Sequence, residues 1–344
     1  MQLLDLTGSW QLIKKDSGSF KPIVAHVPGG VHPALIAAGI IPDISSLSLP
    51  DSFSWISKTT WVFERPFFVD NDLLSHDIID LEFDGIDTYA EVKLNGNTIL
   101  STNNMFKTWK TEVKEFLKAG ENTLTVEISP ARPTDNPDEI KKARYGFGTS
   151  FSPECITAGI CRPVRLRAWN RARIVSIGYS QQHDFDANTA SIYIGGLLET
   201  SGESFEKLEL SFRIYNAEGV DTEGFLYGII PELPNDKQCY SAANIEVTED
   251  GAFSCQIDIP NPELWYPNGM NPNGEEATSP IYKIEALLYS IEKEKAILDQ
   301  WSANLGLRSL ETVAIDDDEN KLAVMCNGER VFLRGATWIP PSIF

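Results

Sequence analysis

Apolar and polar residues alternate strictly along many short segments of this 344-residue chain. The alternation is complete in Leu208–Ile214 and Phe253–Ile259, and it recurs in Val164–Ala168. A period of two places one face of a strand in a core and the other in water, as in antiparallel sheets. Long helical periodicity is almost absent. The sequence therefore predicts an all-β fold built from β-sandwiches.

Turn residues and short helical patterns complete this prediction. An Asn-Gly pair supplies the positive φ angles of a tight hairpin turn, which predicts hairpins over 90–99 and 324–331. Helical patterns are few and short. They cover Pro33–Ala38, Val113–Lys118 and Asp138–Arg144, the last after a proline that suits a first helical turn.

Breaks in the strand pattern divide the chain into three segments. Residues 1–172 form a first sandwich that ends in the strand Pro163–Trp169, and residues 173–310 form a second. Residues 311–344 contain a hairpin and then the apolar run Val331–Gly335, which predicts a strand that begins a third unit. The length fits two or three domains with sizeable cores.

Charge and cysteine usage exclude several classes of protein. Lys and Arg total 29 against 49 Asp and Glu, for a net charge of −20, and a nucleic-acid or anionic-membrane binder needs the opposite sign. No apolar stretch reaches a membrane span, and the first residues do not resemble a signal peptide. Five scattered cysteines favour free thiols, although a bridge between Cys155 and Cys161 stays open. We expect a cytoplasmic protein.

Motifs for metal, cofactor or nucleophilic chemistry are weak. His26 and His32 lack a third ligand, so no metal site is expected, and Gly146-Phe147-Gly148 lacks the third glycine of a dinucleotide fingerprint. No cofactor is predicted. Asp84 and Asp87 flank a turn, and capping of that turn is favoured over general acid/base work.

Four tryptophans raise the question of a sugar-stacking platform. Large aromatic residues in sandwiches more often pack in the core or between domains, so packing is favoured over a platform. The four are Trp10, Trp55, Trp61 and Trp109.

Several motifs follow one another along almost the whole chain in the order of a known family. They are Leu6–Trp10, Val27–His32, Leu35–Asp43, Phe83–Val92, Asn104–Phe106, Thr157–Leu166, Leu264–Gly269, Leu305–Arg308 and Asn327–Pro340. Together they resemble glycoside hydrolase family 2, and the β-mannosidase branch in particular. Cys161 departs from the pattern, because the family usually has Trp there, and Thr337 stands in place of the usual Asn.

The resemblance implies a jelly-roll-like sugar-binding-type sandwich, an immunoglobulin-like sandwich and the first strand of a truncated (β/α)₈ barrel. A complete barrel takes about 250 residues, whereas 34 residues follow Leu310. Members are retaining glycosidases with an acid/base Glu and a nucleophile Glu roughly 5–5.5 Å apart. Both lie on later barrel strands in the family, so no catalytic residue is assigned and this chain alone is expected to be inactive.

Two places in the chain match substrate-facing positions of the family. The first-domain loop that carries Trp-Asp-Trp in β-mannosidases reads Thr149, Ser150 and Phe151 here, so a neutral Ser replaces an acceptor of sugar hydrogen bonds. A plain sandwich loop is an equally open interpretation. Trp338, at the end of the predicted barrel strand, could stack on sugar in an intact enzyme, whereas in this chain exposure is expected.

Three hypotheses follow for function. The first is that the chain comprises the accessory domains of a β-mannosidase-like enzyme that hydrolyses terminal β-glycosidic bonds, with a β-linked carbohydrate as its partner in the intact protein. The second is a self-standing carbohydrate-binding sandwich. The third is a fragment that complements a separately encoded barrel chain. The apolar run Val331–Leu333, an association liability without neighbours, favours a missing partner segment over the second hypothesis.

Overall fold

The chain is composed mainly of antiparallel β-strands, which the computed structural model arranges in two compact units. The first unit contains Met1–Trp169 and the second contains Asn170–Ala336. The structure describes residues 1–15, 17–42, 53–131, 140–149, 152–202, 204–220, 230–234, 238–270, 279–292, 296–315 and 318–338.

The first unit contains a four-stranded and a six-stranded sheet, with the strand orders β1-β12-β5-β8 and β3-β2-β4-β9-β6-β7, and the small hairpin β10-β11. All of their pairings are antiparallel. The strands are β1 (Gln2–Asp5), β2 (Gly8–Lys14), β3 (Ile23–Val27), β4 (Trp61–Val69), β5 (Ile78–Phe83), β6 (Tyr89–Leu94), β7 (Asn97–Thr102), β8 (Trp109–Glu112), β9 (Gly120–Ser129), β10 (Phe147–Thr149), β11 (Ser152–Glu154) and β12 (Val164–Trp169).

The two larger sheets of this unit share one hydrophobic core. Leu81 of β5 and Leu166 of β12 come from the smaller sheet, and Phe63 of β4 and Val126 of β9 come from the larger one. All four side chains are almost fully buried. A core filled from the inner faces of two sheets defines a β-sandwich.

The second unit contains two four-stranded sheets, ordered β13-β14-β18-β17 and β16-β15-β19-β20, and the three-stranded sheet β21-β22-β23. Ile192 and Ile257 from one four-stranded sheet and Ile214 and Ile284 from the other lie in a single core. The strands are β13 (Ala172–Asp184), β14 (Thr189–Thr200), β15 (Leu208–Asn216), β16 (Cys239–Ser241), β17 (Glu246–Val247), β18 (Ala252–Pro260), β19 (Tyr282–Ser290), β20 (Ile297–Leu305), β21 (Leu310–Ile315), β22 (Asp318–Cys326) and β23 (Glu329–Val331).

Both predicted hairpins are confirmed at their turns. Asn95 and Gly96 connect β6 to β7 with φ angles of 51° and 86°, and Asn327 and Gly328 connect β22 to β23 with φ angles of 53° and 81°. Asparagine and glycine tolerate this left-handed region better than other residues. For this reason the Asn-Gly pairs alone predicted the two turns. The prediction of an all-β protein built from sandwiches is confirmed as well.

Helices are short, and the helix predicted over Asp138–Arg144 is wrong in its described part, since residues 138 and 139 lie outside the described residues. Helix α1 (Val31–Ala37) lies where Pro33–Ala38 was predicted, and a 3₁₀ turn occupies Lys114–Phe116. Residues 140–143 contain no helix, and a 3₁₀ turn follows at Arg144–Gly146. Helix α2 (Asn71–Leu74) was not predicted, and the Asp70 carboxylate caps it by accepting from the Leu73 amide. No helix within the described ranges is long and apolar enough to cross a bilayer.

The predicted strand over Val331–Gly335 is shorter than its sequence pattern suggests. Strand β23 ends at Val331, where it pairs with Val324 of β22. Phe332 and Leu333 are 80% and 68% exposed. Strand β22 continues past this pair to Ala323 and Leu322, which pair with β21, so β23 ends before its neighbouring strand does.

Candidate functional site

A buried ion pair lies at the centre of the loops at one end of the first unit. The Asp87 carboxylate accepts two hydrogen bonds from the Lys142 ammonium, and their side chains are only 4% and 1% exposed. The hydroxyls of Thr88 and Thr157 also donate to this carboxylate, the second at 2.7 Å. Lys142 donates further to the Thr157 carbonyl at 2.8 Å. Because a buried charge is tolerated only when it is paired, this cluster is a fixed part of the fold.

The prediction that Asp84 and Asp87 cap a turn is therefore wrong for both side chains. Asp84 accepts a bidentate pair from Arg165, at 2.8 Å to Nη1 and 2.9 Å to Nη2. Arg165 also donates from Nε to Glu82 at 3.0 Å, across paired strands β5 and β12. Asp84 is thus paired with Arg165, and Asp87 is paired with Lys142. Neither is free to act as a general acid or base.

A cavity of about 340 Å³ opens beside the Asp87–Lys142 pair. Most of its lining residues are apolar or glycine, and three of them, Val31, His32 and Asp87, are buried. It is lined by residues Pro28, Gly29, Gly30, Val31, His32, Pro33, Asp87, Met105, Ala143, Thr157, Ala158, Gly159 and Cys161.

Backbone hydrogen bonds fix the walls of this cavity. The Gly29 amide donates to the Ile160 carbonyl at 2.8 Å, and the Val31 amide donates to the Ala158 carbonyl at 2.9 Å. A Cβ atom on Gly159 would lie 2.3 Å from the Gly29 carbonyl oxygen, which is closer than real atoms approach. Glycine is needed where two backbones meet this closely. The cavity is therefore preformed.

Its histidine and cysteines are held in their neutral forms. Burial, with a contribution from Lys142, lowers the pKa of His32 to about 4. The Cys155 thiol lies 3.5 Å from His32 Nε2, and burial raises the pKa of that thiol to about 11. Burial also raises the pKa of Cys161, with Asp87 adding to the effect. A neutral thiol is a poor nucleophile, so this arrangement does not resemble an activated Cys–His pair.

No disulfide joins Cys155 to Cys161, and both are free thiols. Within the described part of the chain, no group of three His, Cys, Asp or Glu side chains is arranged to hold a metal ion. The absence of a cofactor remains a prediction. His26 is exposed on β3, whereas His32 is buried in α1.

Of the candidate sugar-facing residues, only Thr149 is described. Thr149 is the last residue of β10, opposite Ser152, the first residue of β11. Ser150 and Phe151 lie outside the described residues. The Cys155 amide donates to the Gly146 carbonyl at 2.7 Å, which closes the base of the hairpin.

This hairpin lies, along the chain, between two residues that line the cavity. The chain leaves the cavity lining at Ala143, forms β10 and β11, and returns to the lining at Thr157. Cys155, which contacts His32, lies on the returning side. The loop at Thr149, which the sequence indicated as sugar-facing, thus neighbours the cavity in the chain. The sequence did not predict the cavity itself.

The tryptophans confirm packing rather than a stacking platform. Trp10 and Trp61 are 2% and 0% exposed, and Trp55 and Trp109 are half-buried against the same core. Trp338 follows β23 in an irregular segment and is 80% exposed.

Sequence reasoning missed Lys142, Thr157 and the cavity. A signal was present, because segments of three motifs quoted for the resemblance meet there: Val27–His32, Phe83–Val92 and Thr157–Leu166. Lys142 had no such signal, since the pattern around it predicted a helix over Asp138–Arg144 and not a contact with Asp87. Only the folded chain brings it to Asp87.

Comparison with known proteins agrees with the fold and with these motifs. Residues 10–162 match the family described as glycosyl hydrolase 2 galactose-binding domain-like. The chain is 28% identical to β-mannosidase B of Aspergillus terreus over 338 residues, covering 92% of this chain and 36% of that protein. It thus spans little more than a third of that relative's length.

Solved structures give the same result. The β-D-mannosidase of Dictyoglomus thermophilum superposes with a TM-score of 0.79 and 29% identity, over 99% of this chain and 40% of that one. The exo-chitosanase CsxA of Amycolatopsis orientalis, at 14% identity and a TM-score of 0.69, shares the fold alone. Residues 10–162 thus carry a glycosyl hydrolase family 2 domain. Over almost its whole length the chain is similar to β-mannosidases.

Proposed function

We propose that this chain is the accessory, non-catalytic region of a retaining β-glycosidase that hydrolyses terminal β-linked sugars, with β-mannosides as the first substrates to test. The observation that carries the proposal is the match of 99% of the chain to a β-D-mannosidase with a TM-score of 0.79. The curated β-mannosidase B sequence supports it. In the proposed organisation, residues 1–172 form a jelly-roll-like domain, 173–310 an immunoglobulin-like domain and 311–344 the lead-in to a catalytic barrel, in a cytoplasmic protein.

The proposed chemistry requires a second part of the protein. Double displacement needs a nucleophile and an acid/base carboxyl group roughly 5–5.5 Å apart. The carboxylates that the sequence offered, Asp84 and Asp87, are bound by Arg165 and Lys142. We therefore propose, as the family resemblance implies, that both catalytic Glu residues lie in a barrel outside these 344 residues and that this chain alone is inactive.

The role of the first unit in the assembled enzyme is to present one loop to the sugar. Thr149 ends β10 of a hairpin whose base is closed by backbone hydrogen bonds, which suits a loop that must hold its position, and Ser150 and Phe151 follow it in the chain. Trp338 would stack on the sugar from the barrel side. A hydroxyl at position 150 in place of a carboxylate weakens selection for any one sugar hydroxyl.

Exposed apolar side chains favour this proposal over a self-standing carbohydrate-binding module. Phe332, Leu333 and Trp338 are 68–80% exposed in one short segment. Apolar residues in such a run are typical of a surface that another domain covers. The same observation supports complementation by a separately encoded barrel.

The test is hydrolysis of p-nitrophenyl β-mannoside, β-galactoside, β-glucuronide and β-glucosaminide by the purified chain. We expect no turnover above buffer. Turnover that follows the protein through purification would overturn the assignment of catalysis to a missing barrel. Calorimetric titration with the corresponding free sugars distinguishes the accessory region from a self-standing carbohydrate-binding module. Only the self-standing module is expected to bind one of these sugars by itself.

A further inference from the structure

The cavity of the first unit carries no net charge. The Asp87 carboxylate is matched by the Lys142 ammonium, whose Nζ also donates to Thr157. His32 is neutral, because burial lowers its pKa to about 4. Moving a charged ligand into such a site would cost solvation with no opposite charge to compensate for it. The occupant must therefore be neutral.

The cavity also offers few partners to a sugar. Asp87, the strongest acceptor in the lining, is already occupied by Lys142, Thr88 and Thr157. The rest of the lining is mostly proline, glycine, alanine, valine and methionine. A hexose would bury several hydroxyls without hydrogen-bond partners, which is unfavourable. Among the lining residues the aromatic ring is the imidazole of His32, which is only 3% exposed and so offers a sugar little face to stack on.

The walls instead suit a flat apolar molecule. Pro28 and Pro33 lie at the exposed rim, while the Met105 thioether and the Cys161 thiol form half-buried walls. Sulfur atoms make favourable contacts with aromatic rings. The volume of about 340 Å³ lies within the range of small-molecule sites, roughly 300–1,000 Å³.

The site is also preorganised. Its walls are held by backbone hydrogen bonds from the Gly29 and Val31 amides. The backbones of Gly159 and Gly29 also pack too closely to leave room for a side chain between them. A ligand need not order the lining when it enters, which removes a cost of binding. We propose that this cavity binds a neutral aromatic molecule of one or two fused rings. The proposal does not depend on the glycosidase activity.

The test uses indole and phenol as probes of the 344-residue chain, with ligand-observed NMR and thermal shift as readouts. We expect saturable binding with a dissociation constant on the order of 1 mM or tighter, given the small number of ligand atoms. Mannose is the matched polar probe, and we expect no binding from it.

Variants at Cys161 decide whether the probe occupies this cavity. In Cys161→Trp the indole ring of the new side chain fills the cavity. We expect this variant to bind free indole about tenfold or more weakly. Cys161→Ser keeps the volume, and we expect it to retain binding. If Cys161→Trp does not fold, Ala143→Phe at the exposed rim provides a second obstruction.

Three results would overturn the proposal. The first is no saturable binding of either aromatic probe in the millimolar range. The second is indole binding that is unchanged in the obstructed variants, which would place the probe elsewhere. The third is competition by mannose, which would make the cavity a sugar site. Because none of these readouts uses hydrolysis, a failure here is distinct from a failure of the glycosidase proposal.

Discussion

Each unit of the molecule contains a buried acidic side chain paired with a cation, but the two pairs are built differently. In the second unit, Glu285 of β19 lies directly opposite Arg213 of β15 in the strand register, and the Glu285 side chain is fully buried. Tyr215, two residues along β15, donates its hydroxyl to Glu285 at 2.8 Å. The sheet itself brings these three side chains together.

In the first unit, no pair of adjacent strands holds the cluster. Asp87 follows β5, Lys142 lies in an irregular segment before β10, and Thr157 follows β11. Burial of Asp87 and Lys142 is nearly complete, whereas the Arg213 side chain is 19% exposed. Loss of one partner should therefore destabilise the protein more at Asp87–Lys142 than at Arg213–Glu285. Water cannot reach the remaining charge of the first pair to solvate it.

The largest expected effect is that of Lys142→Met. It leaves the Asp87 carboxylate buried without its cation, and we expect the free energy of unfolding to fall by about 3–5 kcal/mol. Urea unfolding followed by tryptophan fluorescence measures the loss, and hydrogen exchange assigns it to Met1–Trp169.

Lys141→Met is the matched control, because Lys141 is its exposed neighbour, and we expect a change within about 0.5 kcal/mol. Adding Asp87→Asn to Lys142→Met should recover part of the stability, since the unpaired charge is gone. A loss no greater than that of the control would show that the pair is not needed.

The second prediction concerns pH and His32. Its pKa is about 4 in the folded chain, so the unfolded chain, at about 6.5, binds the proton first as pH falls. Stability should therefore decrease between pH 6.5 and 4 by about 3 kcal/mol and then level off. His32→Gln should remove this part of the pH dependence, measured as the difference between urea unfolding curves at pH 7 and 4.

His26→Gln, at an exposed position on β3, is the control and should leave the pH dependence as it is. The idea fails if His32→Gln retains the full slope. Burial also lowers the pKa of His183, on β13 of the second unit. Hydrogen exchange should therefore place only the part of the loss that His32→Gln removes in the first unit.

Glu285→Gln should cost less than Lys142→Met. The amide keeps the shape of the side chain and can still accept from Tyr215, and Arg213 keeps some access to water. We expect a loss of about 1–3 kcal/mol from the free energy of unfolding. Glu246→Gln on the exposed strand β17 is the control. A loss above that of Lys142→Met would reverse the comparison.

The smallest effect should come from Arg213→Lys. The charge stays, while the Nη2 contact to the Pro231 carbonyl at 3.3 Å and the position over the Tyr215 ring are lost. We expect about 1 kcal/mol or less by urea unfolding. Arg330→Lys, exposed on β23, should show no measurable change. A loss of unfolding free energy several times larger than this would contradict the comparison. The Arg213–Glu285 pair would then tolerate substitution no better than the Asp87–Lys142 pair.

The sheets and their hairpins could be predicted because their signals are local. Leu208–Ile214 and Phe253–Ile259 alternate in burial as the sequence alternates in polarity. The turn at Asn95-Gly96 requires φ angles that few other residues adopt. The helix predicted over Asp138–Arg144 failed within its described part because a weak local propensity yields to tertiary contacts, here those of Lys142.

The sequence by itself determined the strand faces, the tight turns and the family resemblance, since each depends on residues close together in the chain or on collinear motifs. Tertiary structure alone decided that Asp87 faces Lys142, 55 residues away, rather than its own turn. It also decided that Pro28–Pro33 and Thr157–Gly159 enclose a cavity. The physical reason is that a buried charge and a preformed wall take their stability from distant partners, and no local pattern records which partners folding will supply.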